Sequence, residues 1–218
     1  MKHQQSGFTL VEIAIVLVII GLLLGGVLKG QELINSAKAK SYAQDFRTIQ
    51  AALYGFQDRF KGIPGDLAGA DTKISGATLA TTPASSPVGN GNIGGLWDSV
   101  LGTDESCLAW QHMRFAGFLA GSTTVNCAAG NAYLQTNADG GRIGISSTMH
   151  ITGMTGSYNI CSDGVLGKIA KQLDTQLDDG VGDTGSFRVI ASAAAPAAGG
   201  VGIAAPADAT PYTVCLSF

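Results

Sequence analysis

The sequence predicts an α+β fold: one long N-terminal helix, apolar on all sides in its first half, followed by a head with a small β-sheet, short helices and long loops. Three observations lead there. Residues 8–28 read FTLVEIAIVLVIIGLLLGGVL, with Glu12 the single charged side chain. Tyr42, Phe46, Ile49, Leu53, Phe56 and Phe60 then recur at spacings of 4, 3, 4, 3 and 4, the period of one buried helical face. After Gly62 and Pro64, which end that pattern, short extended runs alternate with helical ones, an order that suits an α+β head.

The apolar run is long enough to cross a bilayer, which takes ~20 residues. A short polar leader, MKHQQSG, precedes it. An ordinary secretory signal is cut after a shorter apolar region. Here the polar-to-apolar junction, Gly7–Phe8, comes before the run, so cutting there keeps the helix in the mature chain. Glu12 costs roughly a few kcal/mol inside such a span and needs a partner or a purpose. Two readings stay open: a carboxylate kept wet near the headgroups, or one that pairs with a cation from another chain. Read as one helix, Phe8 to Lys61 is ~80 Å long at 1.5 Å per residue. Gly21, Gly25, Gly26 and Gly30 weaken its middle by ~1 kcal/mol each relative to Ala. They mark either a site of local melting or close packing through small residues. The expected divisions are a leader at 1–7, a membrane-spanning helix at 8–28, its amphipathic continuation at 29–61 and a globular head at 62–218.

In the head, residues 62–103 read as loop, and a helix is expected over 104–120, with acids at its start and Gly121 at its stop. A second is expected over 164–178, with Asp163 as N-cap and Val165, Ile169, Leu173 and Leu177 on one face. Extended segments are expected at 142–147, 149–152, 157–161, 186–191 and 211–218, with a low-complexity surface loop at 192–209. Trp97 and Trp110 read as core anchors.

Composition excludes several functions. Apolar residues make up 45% of the chain and charged ones 13%, enough for a packed core. The net charge of −3 argues against a domain built for nucleic acid. His3, His112 and His150 are scattered and the cysteines form no CxxC pair, so zinc has little support. Gly89-Asn90-Gly91-Asn92-Ile93-Gly94 fits GxGxxG in letters, but with no strand before it and no helix after it a nucleotide site is not expected. Asp174, Asp178, Asp179 and Asp183 crowd around Gly180 and offer calcium the hard oxygens it favours. Their spacing is not that of an EF-hand, and helix termination with solvated turn acids accounts for them as well. Beyond this calcium candidate no cofactor is expected. No catalytic Ser/His/Asp or Cys/His set falls at a recognisable spacing, so the chain is expected not to be an enzyme.

Gly7-Phe8-Thr9-Leu10-Val11-Glu12, followed by an unbroken apolar run, resembles the prepilin motif of the type IV pilin and type II secretion pseudopilin superfamily. Residues 62–66 (GIPGD) and 173–185 (LDTQLDDGVGDTG) are similar to head segments of the same superfamily. The resemblance implies a pilin-like fold and cleavage after Gly7 by a prepilin peptidase, with N-methylation of the new terminus at Phe8. It implies assembly in which Glu12 neutralises the terminal amine of a neighbouring subunit. The expected partners are other pilin subunits, the peptidase, an inner-membrane assembly platform and, before assembly, membrane lipid. The expected location is a single pass through the inner membrane with a periplasmic head, then a pilus or pseudopilus. A head of this size suits a minor or specialised pilin; the alternatives are a secretion pseudopilin and a membrane-tethered binding protein. Cys107, Cys127, Cys161 and Cys215 permit three pairings, and sequence does not select among them. The resemblance implies oxidation outside the cytoplasm and a staple holding the C-terminal loop, hence Cys161–Cys215, with Cys107–Cys127 as its companion.

Overall fold

A computed structural model describes residues 9–192 and 199–218. The element order is α1 (Leu10–Phe60), α2 (Ala70–Lys73), α3 (Glu105–Phe115), β1 (Gln135–Thr136), β2 (Arg142–Ser146), β3 (Asn159–Leu166), α4 (Gly167–Leu177), β4 (Phe187–Ala191) and β5 (Pro211–Ser217). The architecture is the expected one, α+β and pilin-like. Two compact units divide the chain, Met1–Ala37 and Lys38–Phe218.

In the first unit the described residues are the early turns of α1, and their apolar side chains are bare: Leu10 is 87% exposed and Leu22 72%. In the second unit α1 buries Ala39, Tyr42, Ala43, Phe46, Ile49, Ala52, Leu53 and Phe56 in one stripe. That stripe shares a core with Leu67, Trp110, Met113, Ile143, Ile160, Ile169, Phe187 and Val214. Phe46 meets Phe187 edge to face, with ring centroids 6.4 Å apart. The Asp139 carboxylate accepts hydrogen bonds from Lys38 and from the Tyr42 hydroxyl, pinning the β1–β2 turn to α1.

The sheet has the order β1-β2-β3-β5-β4, antiparallel throughout. Side chains alternate across it as the strand period requires. Ile160, Val214 and Val189 face the large core, whereas Cys161, Cys215 and Ile190 face a second cluster with Trp97, Ile151 and Met154. Cys161 and Cys215 are direct cross-strand neighbours on β3 and β5 and form one disulfide; Cys107 and Cys127 form the other. Gly144 on β2 lies so close to the Trp97 backbone that an added Cβ would stand 1.9 Å from its carbonyl oxygen, so only glycine fits there. Both tryptophans are buried, in different clusters.

Several boundaries differ from the sequence expectations, each for a local reason. α1 ends at Phe60, and the left-handed residue beyond it is Lys61 (φ 49°), ahead of Gly62 and Pro64. α3 stops at Phe115, short of residue 120. Gly117 (φ 80°) takes the left-handed position, its N–H bonding Arg114 O while the Phe118 N–H bonds Met113 O, a Schellman closure that pre-empts Gly121. The helix expected over 164–178 begins at Gly167. Asp163 is not its N-cap, because 163–166 continue β3, where Val165 pairs with Tyr212 and the Asp163 carboxylate accepts the Thr213 hydroxyl. The expected strand at 149–152 shrinks to one bridge, Ile151 to Gly200. Of the loop expected over 192–209, residues 193–198 lie outside the described ones. The two-residue β1 and the one-turn α2 carry no periodic signal and were not foreseen.

Candidate functional site

The site begins where α1 begins. Gly7 and Phe8, the expected cleavage pair, lie outside the described residues. Thr9 stands just before the helix and Glu12 in its first turn. The Glu12 N–H donates to Thr9 Oγ1 at 3.3 Å, while Glu12 Oε2 accepts from the Thr9 N–H at 2.8 Å and the Thr9 hydroxyl at 2.7 Å. This reciprocal arrangement is a capping box, which satisfies amides that a helix start leaves without partners. Thr9 was missed as a partner of Glu12, although Thr9-Leu10-Val11-Glu12 spells the T-x-x-E signature of that box. Oε1 of Glu12 has no partner among the described residues and remains open to a cation from outside the chain.

Downstream, α1 offers a membrane its length and apolarity: it holds a window of mean hydropathy 2.8, none of it buried. Adding a Cβ to Gly21, Gly25, Gly26 or Gly30 would meet nothing within 4 Å, so these glycines leave bare notches on the helix surface.

The acidic candidates are brought together in part. Asp174, Asp178 and Asp179 can each place an oxygen within 4.8 Å of the others, and Asp183 stands outside that group. Each of the three already serves the turn after α4. Asp174 accepts the Gly180 N–H, Asp178 the Phe187 N–H, and Asp179 the Val181 N–H and Thr184 hydroxyl. Burial, with Asp179 and Asp178 alongside, pushes the Asp174 carboxyl up to about 6 despite the Gly180 hydrogen bond. Asp179 spends both its oxygens on the turn, whereas Oδ2 of Asp174 and Oδ1 of Asp178 accept no hydrogen bond there.

The amides of the glycine-rich loop at 89–94 converge on an acceptor, and that acceptor is the chain's own side chain. The Asp66 carboxylate accepts the N–H groups of Gly89, Asn90 and Gly91. His112 is buried and far from metal chemistry: its Nδ1 accepts the Gly65 N–H and its Nε2–H donates to Thr78 O.

A family model described as the prokaryotic N-terminal methylation motif matches residues 2–28. The chain matches no curated protein and no solved structure. The match covers the leader, the Gly7–Phe8 junction, the Thr9–Glu12 box and the apolar turns together, and it supports a precursor of type IV pilin-like or pseudopilin kind, processed by prepilin peptidase. The chain carries, ahead of a pilin-like α+β head, a type IV prepilin-like signal.

Proposed function

We propose that this chain is a structural subunit, a minor or specialised pilin, of a type IV pilus-like filament, and that it performs no catalysis and needs no cofactor. One observation carries the reading: from Leu10 onward the segment matched by the methylation motif is a helix whose apolar side chains are bare in the lone chain, interrupted by a single acid. Such a surface is stable only in lipid or against other apolar helices. A subunit held first in the inner membrane and then in a filament core meets both environments in turn. The capping box gives the acid a local use in either setting, but only in the second would its free oxygen meet the terminal amine of a neighbour, which a simple tether does not offer. The same N-terminus would serve a secretion pseudopilin.

Mass spectrometry of the mature protein tests the proposal. The expected chain begins at N-methyl-Phe8, and replacing Gly7 by a bulky residue leaves full-length precursor in the membrane. Finding intact, unprocessed chain in assembled filaments would overturn the reading.

A further inference from the structure

Asn90-Gly91 is the one place in the chain where an asparagine precedes a glycine. Both residues are exposed, in the loop between α2 and α3, so water reaches them. Gly91 stands in open space: a Cβ added there would meet nothing within 4 Å.

Each group that a ring closure between these two residues would use is already held by a hydrogen bond. The nucleophile is the Gly91 nitrogen, whose N–H donates to Asp66 Oδ2 at 2.7 Å. The other Asp66 oxygen, Oδ1, serves the Gly89 and Asn90 amides, so Oδ2 is left to Gly91. The electrophile is Cγ of Asn90. Its oxygen accepts the Asn92 N–H at 2.8 Å, which bends the carboxamide back along the 90–91 peptide. Its nitrogen donates to Ser86 Oγ at 2.9 Å, and the Ser86 hydroxyl donates to Glu105.

A base within hydrogen-bond reach of the proton it removes, and a donor on the oxygen that gains charge, are what such a reaction needs. The Gly91–Asp66 bond lies in the plane of the peptide, so it does not occupy the face of the nitrogen that meets Cγ. These contacts also restrain the loop, and restraint alone slows ring closure. The kind of acceptor sets the sign: a carbonyl in place of Asp66 would only lock the Gly91 amide, whereas a carboxylate can take its proton.

We propose that Asn90 is a self-modifying site, at which the Gly91 nitrogen attacks Asn90 Cγ with Asp66 as general base. The bond from Gly91 N to Cγ forms and the Cγ–Nδ2 bond breaks. The proton passes from Gly91 N to Asp66 and on to Nδ2, which leaves as ammonia, and Asp66 ends as it began. Water then opens the succinimide, at Cγ to give aspartate or at the backbone carbonyl carbon of residue 90 to give isoaspartate. Either product adds a negative charge to the loop that Asp66 and Glu105 hold, and isoaspartate also lengthens its backbone by one carbon. The conversion is one-way, so it marks the age of the chain.

Peptide mapping by mass spectrometry tests this, with the full chain in detergent micelles compared with the same chain reduced and unfolded in guanidinium chloride. At pH 6, conversion at Asn90 should be at least about tenfold faster in the folded chain. That is below the roughly hundredfold or more that a well-placed base supplies, because restraint of the loop offsets part of it. Between pH 6 and 8 the unfolded rate should rise in proportion to hydroxide, and the folded rate much less, since its base is built in. Asp66→Asn should bring conversion down to the unfolded rate. Conversion no faster in the folded chain, a folded rate that tracks hydroxide, or an unchanged rate in Asp66→Asn would each overturn the proposal.

Discussion

Replacing Glu12 by valine is expected to abolish filaments while leaving the chain in the membrane. Insertion should improve, because the substitution removes an acid that costs roughly 2–3 kcal/mol in an apolar helix. Assembly should fail, because a neighbour's terminal amine would then enter an apolar core with no counter-charge. Stripping one partner from a buried ion pair costs about 3–5 kcal/mol, and each 1.4 kcal/mol is tenfold, so subunit association weakens by at least about a hundredfold. Filament yield by electron microscopy, normalised to membrane-inserted chain, is the measurement. Thr9→Ala is a useful companion: it removes half of the capping box at a cost of about 1 kcal/mol and leaves the acid in place. Its filaments should be weakened rather than lost. Wild-type yield from Glu12→Val would show that the carboxylate has no part in assembly.

The second large effect concerns the head. Trp110, 1% exposed in the middle of α3, fills the core shared by α1, α3, α4 and the sheet. Trp110→Ala should cost about 3–5 kcal/mol, from lost burial and the cavity left behind. Against a total of about 5–15 kcal/mol for a typical domain, that removes a large share of the stability. Thermal unfolding of the full chain in micelles should show the head melting roughly 6–20 °C lower. Val100→Ala, at a position 61% exposed, should stay within about 0.5 kcal/mol of the parent. Equal melting temperatures for the two variants would contradict the placement of Trp110 at the centre of the core.

The sequence was most legible where one period runs unbroken. The apolar run and the stripe from Tyr42 to Phe56 needed no tertiary context, because an i, i+3, i+4 repeat over many turns has one geometric solution. The head was harder, because its strands are short and its turns decide the boundaries. Asp163-Gly164 looks like a helix start, yet pairing with β5 keeps the chain extended to Leu166. Gly121 looks like a helix stop, yet Gly117 reaches the left-handed position first. In each case a contact distant in sequence, or a glycine nearer in the chain, overrode the local preference. The acids that hold the glycine-rich loop were invisible for a related reason. Asp66 and Glu105 draw their meaning from backbone amides 11 to 25 residues away, and side-chain identities alone do not encode such partners. The Thr9–Glu12 box was the opposite case, a local signal present in four letters and overlooked beside the stronger apolar one.

The strand order gives the head a clock. Among the described residues β5 is the last strand in the sequence, yet it lies between β3 and β4 and alone joins them. As the chain lengthens from its N-terminus, β4 therefore waits with no strand of the sheet beside it, and the sheet cannot close until Pro211–Ser217 arrive. The join spans a long interval, since Cys161 and Cys215 are 54 residues apart, and such nonlocal closure is slow compared with helix formation. Seating β5 sets Cys161 and Cys215 opposite each other, so the bond between them ties the last strand to β3 once the sheet has closed. A chain lacking its last seven described strand residues would leave Cys161 without this partner and β4 without a strand to pair with.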